Sequence, residues 1–348
     1  MAPPLNSTRP NTDQVLVEEK LSARILTLNR PSQLNALSSQ MISRLLELFV
    51  AYEEDSNVKL VIVKGKGRAF CAGGDIAAVF QDIKEVGFEF YRPNGVSSHH
   101  NQVAVEVFAV PETALGLFPP SHFLSRLPGF FGEYVGLTGT RLDGAEMLAC
   151  GLATHFVPSE RLYLLEKALC KVDSSDPAII SAVIDEYSQQ PYMTEQSAYH
   201  RLNVIDRCFS RRTVEEIIFA LESEALNKKD DWISATIQSL KGASPTSLKI
   251  SLRSIRQGRL QGVGQCLVRE YRMACNAMQG KVSKDLFEGY RAILLAKNKN
   301  PKKWEPSKLE LVSDAMVATY FSMMDNEDWE DLKLPARSNL PVYAIAKL

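Results

Sequence analysis

Residues 58–65, VKLVIVKG, form a nearly continuous apolar run bounded by lysine and glycine. A run of that length, rich in β-branched residues, is the pattern of a strand buried on both faces, and such strands sit in sheets covered by helices. What precedes it fits that demand. Residues 14–29 read as two β-runs around a turn, with Val15 and Val17 alternating with polar neighbours and Ile25, Leu26 and Leu28 following. The stretch PSQLNALSSQMISRLLELFVAYEED then supplies turn chemistry and places Met41, Leu45, Leu48 and Tyr52 at helical spacing, with Ser38 as the expected N-cap. The unit is strand, strand, helix, strand.

Directly after the apolar run comes GKGRAFCAGGDIAAVFQDIK, in which Gly67, Gly73 and Gly74 leave backbone bare before a helix predicted to start near Asp75. Consecutive N–H groups in such a turn can hold a negative oxygen. A carbonyl attacked by water becomes an oxyanion, and a preorganised N–H aimed at it lowers the barrier by ~3 kcal/mol. Gly74 is the candidate donor, and Asp75 reads as an N-cap rather than an acid. On spacing alone an ordinary glycine turn ranks ahead. Neither GxGxxG nor GxxxxGK[ST] is present, so nucleotide binding is weaker still. Cys71 lies between apolar residues with no base beside it in sequence and reads as a buried structural thiol.

From RLDGAEMLACGLATHFVP onward helical periodicity dominates to about residue 325; in SPTSLKISLRSIRQGR, for example, Leu248, Ile250, Leu252 and Ile255 are set among Lys and Arg. The expected layout is a disordered lead-in over 1–13, an α/β core over 14–158, a helical region over 159–325 and a tail over 326–348. A chain of 348 residues is long enough for that arrangement and for a sizeable core. With 40 Lys and Arg against 41 Asp and Glu, no overall field favours nucleic acid or an anionic membrane. The six cysteines form no CxxC pair and no metal-ligand spacing with the five histidines, which predicts free thiols and no metal. No stretch approaches the ~20 apolar residues of a membrane span. The N-terminal MAPPLNSTRPNTDQ lacks both a signal-peptide core and an Arg-rich transit pattern. Ala346-Lys347-Leu348 is close to the SKL-type tripeptide read by a peroxisomal import receptor, so a peroxisomal location is expected.

The segment PETALGLFPPSHF, residues 111–123, carries one carboxylate, Glu112, among apolar and turn-forming residues. Such surroundings disfavour the ionised form and move a carboxyl toward neutral pH, where a proton-transfer group works best. On the residues alone, a structural role in the loop has at least equal weight.

The blocks NRPSQLNALSSQMI and GRAFCAGGDI together resemble the opening of the crotonase (enoyl-CoA hydratase/isomerase) superfamily. PETALGLFP, FLSRLPG, LTGTRLDGAEMLACGLATHFVP and SKDLFEGYRAILLAKNKNPKKWEP are similar to its 3-hydroxyisobutyryl-CoA hydrolase branch, and the resemblance covers most of residues 14–325. It implies a crotonase-like ββα spiral core with a helical C-terminal region, an α/β fold, and a coenzyme A thioester as ligand. The implied activity is hydrolysis of a short 3-hydroxyacyl-CoA, 3-hydroxyisobutyryl-CoA from valine breakdown, with no separate cofactor. In that pattern Gly74 is the first oxyanion donor and Glu112 the general acid/base. Ala72, Gly73, Gly74, Asp75 and Glu112 border the substrate. The superfamily commonly forms trimers or hexamers and this branch less uniformly, so oligomeric state stays open.

Three departures stand against that pattern. Between the glycine loop and PET the family has a KPYVA strand with a Glu before it and a GGGxG turn giving the second oxyanion N–H; here the chain runs FEFYRPNGVSSHHNQVAVEVFAVPET, with only the isolated Gly95. The inner strand and the second donor are both missing. Pro120 also stands where GLFPDVG has its Asp, and proline offers neither carboxylate nor N–H. His122 is ionisable and near in sequence, but a lone loop histidine is more often bland. The omissions are block-like. Losing one oxyanion donor predicts a rate lower by ~10²–10³. Two alternatives to the hydrolase therefore stay open: a catalytically impaired CoA-binding homologue, and an enoyl-CoA hydratase or isomerase.

Overall fold

The computed structural model describes residues 13–75, 107–227, 230–294, 303–324 and 329–334. The lead-in before residue 13, the helix expected beyond Asp75, the stretch around Gly95 expected to lack the family's inner strand and GGGxG turn, and Ala346-Lys347-Leu348 all lie outside the described residues.

In chain order the elements are β1 (Val15–Lys20), β2 (Ala23–Leu28), α1 (Ser39–Glu54), β3 (Leu60–Gly65), β4 (Val107–Ala109), α2 (Ser121–Leu124), α3 (Phe131–Thr138), β5 (Arg141–Asp143) and α4 (Gly144–Ala149). The helices α5 (Leu162–Leu169), α6 (Pro177–Asp185), α7 (Leu202–Phe209), α8 (Val214–Asn227) and α9 (Asp231–Gly242) follow. After them come α10 (Pro245–Gly258), α11 (Val263–Gln279), α12 (Asp285–Leu294) and α13 (Asp314–Phe321). They fall into two compact units, one holding 13–75 with 157–189 and the other 107–156 with 190–334. The division does not follow the boundary at 158/159 expected from periodicity: α5 and α6 group with the N-terminal strands.

In the first unit β1 and β2 form the expected hairpin, antiparallel from Val15 opposite Leu28 to Lys20 opposite Ala23. Ser38 caps α1 as expected, its Oγ accepting the Met41 N–H at 3.2 Å. The helix returns the chain to β3, which runs parallel to β2 with Leu26 opposite Val63. Val15, Leu26, Leu28, Met41 and Leu48 form one core beneath the sheet. β2, in the middle, is buried at all six positions. β3 departs from expectation. It is half-buried along its length, because in the order β1-β2-β3 it has a strand on one side only among the described residues. Lys64 on β3 meets Glu166 on α5 at 2.7 Å, and Ser22 Oγ donates to the Val172 carbonyl at 3.0 Å, which fastens α5 and the segment after it to the sheet.

The second unit is built around α3. Phe131, Val135 and Leu137 are fully enclosed, with Ile205 and Phe209 of α7, Ile217 and Leu221 of α8, and Leu248 and Ile255 of α10 in the same core. Gly132 permits this approach, since a Cβ there would run into the Leu124 carbonyl. Glu133 is wholly buried on the same helix, and Arg259 neutralises it at 2.6 Å. Such a partner offsets part of the cost of burying a carboxylate. All six cysteines are free thiols, as expected.

Candidate active site

In the first unit the glycine loop is tied from below by two side chains. Asn35, fully buried at φ +57°, donates to the carbonyls of Lys66 at 3.0 Å and Ala69 at 2.7 Å, and its Oδ1 accepts the Arg30 N–H. Arg30 pairs with Asp75 at 2.8 Å and donates to the Ala36 carbonyl. The loop is thereby laid beside residue 37 as a parallel bridge to Gly74: Leu37 N–H donates to Gly73 O at 2.8 Å, and Asp75 N–H to Leu37 O at 2.9 Å. Gly73 at φ +88° turns its own N–H to Cys71 Sγ at 3.3 Å. Both neighbours of Gly74 therefore have occupied N–H groups, while its own N–H has no hydrogen-bond partner among the described residues. A Cβ built at Gly74 meets nothing within 4 Å, so a ligand atom can approach it. Ala72, Gly73 and Gly74 are exposed, and this is the open donor that an oxyanion site requires.

Two expectations for this loop change. Cys71 is only half-buried, not enclosed; burial raises its thiol pKa, and its sulfur serves to orient the Gly73 N–H. Asp75 spends its carboxylate on Arg30, and the helix it was expected to cap lies outside the described residues.

In the second unit Glu112 opens a short 3₁₀ turn, Glu112–Leu115, which Gly116 ends at φ +76°. The turn is fixed from three sides. Thr113 Oγ1 donates to the Leu137 carbonyl of α3 at 3.1 Å, and the Ser244 N–H at the start of α10 donates to the Thr113 carbonyl at 3.1 Å. From α12, the Asp285 backbone lies against Gly116 and the Leu115 carbonyl lies against Gly289, so closely that a Cβ on either glycine would clash. The carboxyl of Glu112 is held still without being neutralised. Its Oε2 is buried and has no hydrogen-bond partner among the described residues. Burial pushes its pKa from the ordinary 4.5 up to about 7, with a hydrogen bond from its own backbone N–H pulling the other way. A carboxyl so placed exchanges a proton near neutrality, which suits it to act as base toward water and then as acid toward a leaving group.

His122 is not a lone loop histidine. It lies in α2, where Glu270 of α11 accepts from the N–H groups of Ser121 and His122 at 2.7 and 2.8 Å, from Ser121 Oγ at 2.7 Å, and meets His122 Nδ1 at 2.9 Å. Burial works against the Glu270 carboxylate, yet these hydrogen bonds and the His122 charge hold its pKa below the usual range. The cluster also stands away from the Glu112 turn. Thr113 meets Ser244 at the start of α10, whereas Ser121 and Ser125 pack on Gly258 at its end, and a helix of 14 residues rises about 21 Å. The Nδ1 of His122 is thus engaged with Glu270. Glu270, Ser244, Asp285 and Gly289 were all missed from sequence; the Ser-Pro pair at 244–245, a helix-start signal, was the only local hint.

The enoyl-CoA hydratase/isomerase family matches residues 23–100 and 94–321. The match breaks in two where the sequence departs from the family pattern. Among curated proteins, 3-hydroxyisobutyryl-CoA hydrolase 1 of Arabidopsis thaliana is 62% identical over 372 positions, covering 96% of this chain and 98% of that protein. Because 372 exceeds the 348 residues of this chain by 24, at least 24 aligned positions carry no residue here. The small ribosomal subunit protein mS47 of the same organism is 40% identical over 95% of this chain and 90% of its own length. Among solved structures, a carnitinyl-CoA dehydratase from Mycobacterium thermoresistibile superposes with a TM-score of 0.77 at 27% identity, covering 90% of this chain and 97% of that one.

Proposed function

The chain belongs to the enoyl-CoA hydratase/isomerase family, and we propose that within it the protein hydrolyses a short 3-hydroxyacyl-CoA thioester, 3-hydroxyisobutyryl-CoA formed in valine breakdown. The observation that carries the proposal is the buried carboxyl of Glu112, raised to about 7 and fixed on three sides. In its ionised form Glu112 takes a proton from the attacking water. The electrons displaced from the thioester C=O collect on oxygen, and the resemblance assigns the Gly74 N–H as a donor to that oxyanion. When the C–S bond breaks, protonated Glu112 returns its proton to the thiolate, releasing the 3-hydroxy acid and free coenzyme A. These steps need only proton transfer and oxyanion stabilisation, and coenzyme A enters as part of the substrate. The resemblance to 3-hydroxyisobutyryl-CoA hydrolases at 58–62% identity over 96% of the chain supports this reaction over enoyl-CoA hydration. Product analysis separates them: thiol release from 3-hydroxyisobutyryl-CoA with no hydration of crotonyl-CoA is expected, and the reverse pattern overturns the assignment.

A second reading, a CoA-binding homologue that has lost turnover, is favoured by Pro120 in place of the family Asp and by the positions absent from this chain. Calorimetry with coenzyme A alongside the thiol assay distinguishes it, since binding without turnover is its signature. For location we propose import into peroxisomes through Ala346-Lys347-Leu348. A fluorescent fusion ending in that tripeptide should be punctate and its truncated form diffuse; a diffuse signal from both removes this part of the proposal.

A further inference from the structure

Asp285, the first residue of α12, is 3% exposed and uses both carboxylate oxygens. Its Oδ2 accepts Ser244 Oγ at 2.5 Å and its Oδ1 accepts the Glu305 N–H at 2.8 Å, while its own N–H donates to Ser283 Oγ. Capping α12 requires none of the outward bonds. Ser244, fully buried, is also fully committed: its Oγ accepts the Ser247 N–H at 3.0 Å, capping α10, and its N–H reaches the Thr113 carbonyl. A connected path thus runs from the Asp285 carboxylate through Ser244 to the carbonyl of Thr113, the residue after Glu112. The backbone of Asp285 meets the other end of the same turn at Gly116. The turn has no side-chain N-cap, since Pro111 supplies no side-chain hydrogen bond, and a single 3₁₀ turn of four residues is weakly held by its own backbone bonds.

We infer that Asp285 is a positioning residue for Glu112, acting through Ser244 and through its own backbone contact with Gly116 to fix where the carboxyl points and to keep water from it. The inference rests on the proton-transfer role proposed for Glu112 and adds the group that maintains it. A direct charge effect does not account for the coupling. Of the ionisable groups on the three helices packed on the turn (Glu133 and Tyr134 on α3; Lys249, Arg253 and Arg256 on α10; Asp285, Glu288, Tyr290 and Arg291 on α12), none is a cause of the Glu112 shift, which comes from burial. Loosening the turn is what should change it.

The test is a ¹³C NMR titration of the full chain labelled at glutamate carboxyls, with the Glu112 signal assigned by its loss in Glu112→Gln. In Asp285→Ala the Glu112 midpoint is expected to fall by about one unit or more toward the ordinary range as water reaches the carboxyl, a tenfold change in proton affinity. Asp285→Asn keeps one acceptor oxygen and should fall between that variant and the wild type. Thioester hydrolysis in Asp285→Ala should lose about tenfold in kcat with KM unchanged, and its ascending pH limb should move with the NMR midpoint. If the Glu112 midpoint in both variants matches the wild type, whatever their melting temperatures, Asp285 only supports the fold and the inference is overturned. Should Asp285→Ala not fold, the midpoint in Asp285→Asn decides alone. Absence of hydrolysis in the wild type would remove the proposed function but leave the titration decisive for positioning.

Discussion

Replacing Glu112 by Gln should slow turnover and yet stabilise the protein above neutrality, and the size of that gain follows from the burial of the carboxyl. In the folded chain the group titrates at about 7, against 4.5 for the ordinary carboxyl. Between those values the native state holds a proton that the unfolded chain has released, so stability falls as pH rises through the folded pKa. The favourable contribution is fully present below about pH 4.5 and is gone above about pH 7. Integrated from pH 5 to pH 8, the shift predicts that wild type loses about 2.5 kcal/mol that Glu112→Gln does not lose. Comparing the change across pH cancels the fixed cost of burying a neutral amide in place of a neutral acid. The assay is urea unfolding of both proteins at pH 5 and pH 8, followed by fluorescence of Trp232, which hydrogen-bonds Tyr134 in the second-unit core. If the difference between the two proteins is the same at both pH values, Glu112 is not held in a dry setting and its proton-transfer role loses its physical basis.

Other expected outcomes follow from the same geometry. Gly74→Pro deletes the free N–H and should cost about 10²–10³ in kcat; a rate equal to that of the wild type would remove Gly74 as oxyanion donor. The kcat/KM profile for thiol release should rise with pH to a plateau, with an inflection near 7 set by ionisation of Glu112, and a flat profile from pH 5 to 8 would contradict its action as base. Gly116→Ala forces a side chain into a left-handed position and against the Asp285 carbonyl, so thermal melts should show a loss of about 3 kcal/mol. Removing Glu133 as Glu133→Ala leaves Arg259 without its buried partner, and a loss of about 3 kcal/mol in chemical denaturation is expected.

What could be read from the chain beforehand was local. The β1–β2 hairpin and the Ser38 cap follow from alternation and capping chemistry within a dozen residues, and both stand in the structure. Glu112 stood out in the sequence as one carboxylate among apolar and turn-forming neighbours, but the groups that enclose its turn, Leu137, Ser244, Asp285 and Gly289, lie far along the chain. The half-burial of β3 was not legible, since an apolar run reports what a strand could bury and not how many neighbours a sheet provides. His122 was read as solitary because its partner Glu270 lies 148 residues further on. Ser244 and Asp285 escaped for the same reason: they reach the turn through a backbone hydrogen bond and a backbone contact, and neither leaves a trace in side-chain pattern. The thiol of Cys71 shows a smaller version of this limit, because apolar flanks suggested enclosure where the loop in fact turns it toward Gly73.

The central claim, that Glu112 moves the proton in thioester hydrolysis, is tested most directly by initial rates of thiol release from 3-hydroxyisobutyryl-CoA for wild type and Glu112→Gln in parallel at pH 8. The account predicts measurable release by the wild type and a rate lower by about 10²–10⁴ in the variant, the range for loss of a general acid/base. Release at the same rate from both proteins would contradict it.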